Sequence, residues 1–206
     1  MVAEQLRRRG IKDERVLDVM SQVPREMFVP IKLRSSAYQD CPLAIGEGQT
    51  ISQPFIVAYM TEKLMPTSLC RVLEVGTGTG YQTAVLALLC KTVYSIERLE
   101  SLHQQARQLL DRLNLLNAVL CLGDGSVGLE EHAPFDRILV TAAAPHVPRP
   151  LVDQLIDGGR LVAPVGGPNE QTIVCVDRRG SKIIETQTLG CRFVKLIGEE
   201  GWANDC

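Results

Sequence analysis

From residue 71 onward, short β-rich runs alternate with helical ones, and this alternation fixes the class of fold. "RVLEVG" (71–76), "TVYSIE" (92–97), "AVLCLG" (118–123), "FDRILVTAAA" (135–144) and "GGRLVAPVG" (158–166) read as strands. "YQTAVLALLC" (81–90), "ESLHQQARQLLDRL" (100–113) and "PRPLVDQLI" (148–156) read as helices. A strand, a crossover helix and a further strand make a parallel pair covered on both faces. The expected fold is therefore α/β, a Rossmann-like doubly wound sheet that is mostly parallel. The pattern changes at "QTIVCVDRRGSKIIETQTL", which reads as two strands around an Arg-Gly-Ser turn. An antiparallel C-terminal pair should close the sheet.

The N-terminal third is different. Asp13 is placed to cap a helix in which Val16, Leu17, Met20 and Val23 recur at helical spacing up to Pro24. An earlier helix ends at Gly10, and Pro54 fits the first turn of a helix running to about Leu64. Residues 25–53 show no sustained period and read as an irregular connector. With 206 residues, 45% of them hydrophobic, one domain is expected. Its parts are a helical and loop extension (1–65), a ligand-binding core with the C-terminal strands (70–198), and a mobile tail (199–206). A monomer is expected.

Several classes of partner are disfavoured. A net charge of −2 gives no electrostatic case for nucleic acid. No apolar run approaches the ~20 residues that span a bilayer, and "MVAEQLRRRG" lacks the apolar segment of a secretory signal. Seven scattered cysteines without a CxxC pair argue against a disulfide framework or a zinc site and point to a reducing cytoplasm. His103, His132 and His146 have no ligand spacing, so no metal is expected.

"LEVGTGTGYQ" puts Gly76, Gly78 and Gly80 between the first core strand and its helix, where glycines permit a tight turn and close approach of a ligand. Glu74 lies inside that strand, and a carboxylate there would repel phosphates. The loop has no lysine, so it is no Walker A loop. A ligand with a cationic end and no phosphate fits better, and S-adenosylmethionine is such a ligand. Glu97 closes the second strand, where a carboxylate can accept from ribose hydroxyls. In "GDG" (123–125), Asp124 could accept from an adenine amino group or merely form a turn, with Gly125 beside it. All these residues fall at the carboxyl ends of the strands.

The chain closely resembles the protein-L-isoaspartate O-methyltransferases from about residue 10 to 198. The resemblance is carried by "VPREMFVP", "AYQDCPLAIGEGQTISQP", "VLEVGTGTGYQTAVLA", "GDG", "APFDRILVTAAA", "QLIDGGRLVAPVG" and "RFVKL". The glycine loop alone indicates only a class I methyltransferase; "GQTISQP" and "VTAAA" make the match specific. The resemblance implies methyl transfer from S-adenosylmethionine to the free carboxylate of L-isoaspartyl, and also D-aspartyl, residues in damaged proteins and peptides. Repair then proceeds through a succinimide, and the donor leaves as S-adenosyl-L-homocysteine. It further implies that the loop before the first core helix covers the donor, and that Ser52 is the residue assigned as catalytic. Thr50 and Ser52 hydroxyls could hold the acceptor. Ser52 also fits an N-cap for the Pro54 helix, and no histidine motif marks it as a nucleophile. The chain departs from the family's common proline at Ala44 and at Lys195. The competing readings are a class I methyltransferase with another small-molecule acceptor, and a non-catalytic S-adenosylmethionine-binding adaptor.

Overall fold

A computed structural model describes residues 1–203 of the chain. Nine strands and five α-helices are found among them. β3 (Arg71–Val75), β4 (Thr92–Glu97), β5 (Ala118–Leu122), β6 (Phe135–Val140), β7 (Leu155–Gly166), β8 (Gln171–Arg179) and β9 (Lys182–Cys191) form one sheet in the order β5-β4-β3-β6-β7-β8-β9. The first five run parallel, while β7, β8 and β9 are antiparallel neighbours. The chain lays down β3, β4 and β5 outward in one direction, then crosses back to place β6 on the other side of β3. Loops diverge at that reversal and leave a crevice, the usual ligand position in such sheets.

Alternation along β3 feeds two cores, one on each face. Val72 packs into the cluster that includes Leu17, Met20 and Tyr81, whereas Leu73 and Val75 pack with Phe135, Ile138 and Leu161. Helix α1 (Glu14–Gln22) is capped as expected, Asp13 accepting from the Arg15 amide at 2.9 Å. It buries Val16, Leu17, Val19 and Met20. Each such side chain contributes about 1.5–3 kcal/mol by leaving water. Helix α2 (Pro54–Leu64) begins at Pro54, and α3 (Tyr81–Ala87) and α4 (Glu100–Arg112) follow β3 and β4.

Three sequence expectations need correction. The stretch read as an irregular connector holds helical turns at Arg25–Phe28 and Ile31–Ser36 and a hairpin of β1 (Leu43–Gly46) with β2 (Gln49–Ile51). Its turn uses positive φ at Gly46, Glu47 and Gly48, a conformation that glycine adopts without steric cost. Helix α5 (Arg149–Asp153) is shorter than expected, because Leu155 pairs with Phe135 and already belongs to β7. Leu151, Val152, Leu155 and Ile156 have helical spacing, but the Phe135 amide takes the Gln154 carbonyl at 2.8 Å and draws the chain into the sheet.

The third correction is the tail. Residues 199–203 are not left loose. The Glu199 amide donates to Asp124 Oδ2 (2.8 Å), the Glu200 amide to Ser126 Oγ (3.0 Å) and the Trp202 indole to the Ala143 carbonyl (3.0 Å). The remainder of the expected mobile segment, 204–206, lies outside the described residues.

Candidate active site

A cleft of about 920 Å³, open solvent at its mouth included, lies over the ends of β3 and β6. The glycine loop forms its floor, the hairpin strand β2 one wall, and the segment after β9 the other.

Gly76, Thr77, Gly78 and Thr79 line the floor. Gly76 and Gly78 have positive φ, and a Cβ on Gly76 would stand 2.4 Å from Thr141 Oγ1. Gly80 is a correction: it does not line the cleft, and its Cα faces Ala106 and Leu110 of α4. Its φ of 88° makes the turn into α3 and lets that helix pack closely.

Glu97 lines the cleft and is 7% exposed. Its Oε2 accepts from the Gly78 amide (2.8 Å), and Oε1 from the amides of Arg98 (2.9 Å) and Leu99 (3.0 Å). One carboxylate thus ties the glycine loop to the end of β4, and the lone pairs that remain are available to hydroxyl donors.

Glu74 also departs from expectation. It is wholly buried beneath the loop and does not line the cleft. Its Oε2 accepts from Ser95 Oγ (2.6 Å) and Thr83 Oγ1 (2.5 Å), while Oε1 has no partner. Burial pushes its pKa up to about 8, opposed by the two hydroxyls. The carboxyl reaches the cleft through a chain: Ser95 Oγ, which hydrogen-bonds Glu74, also lies 2.6 Å from Thr77 Oγ1 at the floor. The hydroxyl of Thr77 offers lone pairs as acceptors at the floor. The sequence reading missed Thr77, although it lies inside the glycine motif, and Ser95, which no motif marks.

The raised pKa of Glu74 has a stability consequence. The folded state holds the proton more tightly than the unfolded chain. This stabilisation is full below the unfolded carboxyl's range and is lost as pH rises through about 8. Glu74→Gln keeps the acceptor oxygen and cannot ionise. The stability of wild type relative to Glu74→Gln should therefore fall between about pH 5 and 8. Urea unfolding of both proteins across that range would show it, and parallel curves would contradict it.

At the end of β5, Asp124 caps the turn Gly125–Val127. Its Oδ1 accepts from Ser126 N (2.8 Å) and Ser126 Oγ (2.7 Å), and its Oδ2 from the Glu199 amide. These hydrogen bonds hold its pKa below the usual value against the effect of burial. Gly125 rather than Asp124 lines the cleft. A Cβ on Gly125 would strike Val75 and Ile96 at 2.6 and 2.8 Å.

Thr50 and Ser52 both line the opposite wall. The hairpin that carries them lies across the glycine loop: Ile45 Cδ1 is 3.7 Å from the Cβ position of Gly78, and Ser101 Oγ at the start of α4 donates to Glu47 Oε1 (3.2 Å). The polar stretch "IGEGQTISQP" is thus a flap over the loop. Ser52 is not the cap of α2; Gln53 occupies that position, without a side-chain hydrogen bond. Among the described residues lining the cleft there is no histidine, so Ser52 has no Ser–His pairing of the kind that activates a serine nucleophile. Ala44 pairs with Thr50 in the hairpin. Lys195 lies beyond β9; it lines the cleft, bridges Ala143, and has its Nζ 5.8 Å from the Trp202 ring.

Comparison with known proteins gives a consistent result. Residues 1–201 match the family model described as protein-L-isoaspartate(D-aspartate) O-methyltransferase. A protein-L-isoaspartate O-methyltransferase of Desulfosudis oleivorans is 52% identical over 98% of this chain and 91% of its own. One from Geobacter metallireducens is 51% identical over 100% and 95%. A solved Plasmodium falciparum structure, described as a protein of this kind in complex with S-adenosyl-L-homocysteine, superposes with a TM-score of 0.82 at 28% identity, covering 95% of this chain and 96% of that one.

Proposed function

The chain belongs to the protein-L-isoaspartate(D-aspartate) O-methyltransferase family, and from that premise we propose which of its residues perform the family's reaction. The enzyme methylates the free carboxylate of isoaspartyl residues in damaged proteins and peptides, with S-adenosylmethionine as donor, and so initiates their repair. The single observation that carries the residue assignment is the tether from Gly78 to Glu97: one buried carboxylate joins the glycine loop to the end of β4 inside the cleft.

The donor supplies an electrophilic methyl group on a sulfonium. The chain's residues fit its two polar ends. Glu97 accepts from the ribose hydroxyls with the lone pairs its backbone partners leave. Thr77, backed by Ser95 and Glu74, accepts from the α-ammonium. A cation there favours the ionised form of Glu74, whose Oε1 is unpartnered. Gly76 and Gly78 let the donor approach the backbone, and Gly125 lies at the adenine end. Asp124, which does not line the cleft, holds the turn that carries Gly125 through Ser126 and the Glu199 amide.

Thr50 and Ser52 hold the acceptor. An isoaspartyl carboxylate, with a reference pKa of about 3.9, is already an anion at neutral pH and needs no general base. Charge disappears as the methyl group is transferred, so a tight cationic clamp would stabilise the ground state more than the transition state. Hydroxyls that orient the carboxylate, under a flap that excludes water, suit this reaction better.

The enzyme works as a monomer in the cytoplasm, with no nucleic-acid or membrane partner. The free cysteines among the described residues support a reducing compartment. No helix of the described residues is long and apolar enough to cross a membrane. No group of three or more metal-ligating side chains is found among them.

Glu97→Ala tests the donor assignment. Leaving the ribose hydroxyls and the Gly78 amide without their partner should weaken S-adenosyl-L-homocysteine binding by about 1–3 kcal/mol. Calorimetry measures this directly, and unchanged affinity in a folded variant would remove Glu97 from the donor site.

A further inference from the structure

Arg25 is completely buried, yet among the described residues no carboxylate pairs with it. It begins the helical turn Arg25–Phe28, directly after Pro24. Its Nε donates to the Ala37 carbonyl and its Nη2 to the Ser52 carbonyl, both at 2.7 Å. The guanidinium lies 4.7 Å from the centroid of the Tyr81 ring, and Nη1 has no partner. Desolvation pulls its pKa below the usual arginine range.

A buried charge without a counterion is expensive, and an orphaned N–H adds to the cost. A core that needed only to fill this space would do better with an apolar side chain. Local conflicts of this kind are expected where function requires them.

The three contacts show what the arrangement achieves. Ser52 directly follows the flap strand β2, two residues before α2, and lines the cleft on the acceptor side. Tyr81 is the first residue of α3, immediately after the glycine loop, and it also lines the cleft. Arg25 grips the backbone of the first and stacks on the ring of the second. The planar fork of arginine can hold two carbonyls while its face lies on an aromatic ring, which a lysine cannot do. Tyr81 is fixed in turn by its edge contact with Phe28 (5.4 Å).

We propose that Arg25 is a positioning residue for methyl transfer: through the Ser52 carbonyl and the Tyr81 ring, it sets the separation between the acceptor-holding flap and the donor loop. The proposal rests on the reading of Thr50 and Ser52 as the acceptor side. It differs from that reading in acting on the backbone of Ser52 rather than through its hydroxyl.

The test compares Arg25→Lys, Arg25→Met and Ser52→Ala in the full chain. Each is measured for thermal unfolding, S-adenosyl-L-homocysteine affinity, and kcat and KM with an isoaspartyl peptide. Misplacing reacting groups by about 1 Å can cost roughly 100-fold. Arg25→Met should lower kcat by about that factor. Arg25→Lys, which keeps the charge and one carbonyl contact but loses the fork and the stack, should lower it by roughly 10-fold. Donor-product affinity should stay within about threefold, so the loss appears in kcat and not in donor binding. Folded Arg25 variants with wild-type kcat would overturn the proposal. So would an equal loss in donor affinity, since Arg25 would then be a general prop of the cleft. If Arg25→Met fails to fold, Arg25→Lys decides on the same readouts. A silent Ser52→Ala beside impaired Arg25 variants would sink the hydroxyl reading and leave the backbone role standing. The reverse pattern would sink the role of Arg25 alone.

Discussion

Ser52→Ala should lower turnover on an isoaspartyl peptide by roughly 10–1000-fold, the range that loss of reactant alignment can cost. The hydroxyl lines the cleft opposite the glycine loop. Its carbonyl is held by Arg25, so removing the hydroxyl leaves the flap in place. Donor affinity should change little. Stability should also change little, because Gln53 and not Ser52 holds the cap position of α2. Ser52→Thr keeps the oxygen and should retain part of the activity. Mass spectrometry of enzyme incubated with donor alone should find no methylated Ser52, since no histidine lines the described cleft to activate it. A folded Ser52→Ala enzyme with full turnover would reduce the flap to a cover.

Gly76→Ala should impair the donor half as severely. At φ of +98° an alanine pays about 1–2 kcal/mol in backbone strain alone. Its methyl group would also stand 2.4 Å from Thr141 Oγ1, which is fixed by hydrogen bonds to the carbonyls of Val75 (3.0 Å) and Gly76 (2.6 Å). Relief of that clash must move the floor of the cleft, and with it the Gly78–Glu97 tether. Affinity for S-adenosyl-L-homocysteine should fall by roughly 10–100-fold, equivalent to about 1.4 kcal/mol per factor of ten. Calorimetry and urea unfolding separate the binding loss from the stability loss. A folded variant with wild-type affinity would mean that the donor does not approach the backbone at Gly76.

Features set by local periodicity were legible in the sequence. The strand and helix runs from Arg71 to Gly166 follow from alternating and helical spacing, and the glycine loop sits between two of them because only positive φ makes that turn. The places of Glu97 at the end of β4 and of Thr50 and Ser52 ahead of α2 were legible for the same reason. What escaped was set by contacts distant in sequence. Nothing near Glu199 or Trp202 shows that their backbone and indole will meet Asp124 and Ala143, 75 and 59 residues away. The β1–β2 hairpin has strands of only four and three residues, too short to show a period, and it depends on a turn at Gly46–Gly48. Ser52 two residues before Pro54 looked like a cap; its carbonyl instead meets Arg25, 27 residues earlier. Glu74 was expected to face the donor because strand position gives its height in the sheet. The pleat puts it on the inner side, where only Ser95 and Thr77 connect it to the cleft.

Transfer of a labelled methyl group from S-adenosylmethionine to two peptides of one sequence, differing only in whether a single residue is isoaspartate or ordinary aspartate, tests the central claim most directly. The isoaspartyl peptide should be labelled catalytically, with base-labile label as expected of a methyl ester, and the aspartyl peptide should stay at background. Equal labelling of both peptides, or labelling of neither by a protein that binds S-adenosyl-L-homocysteine, would contradict the account.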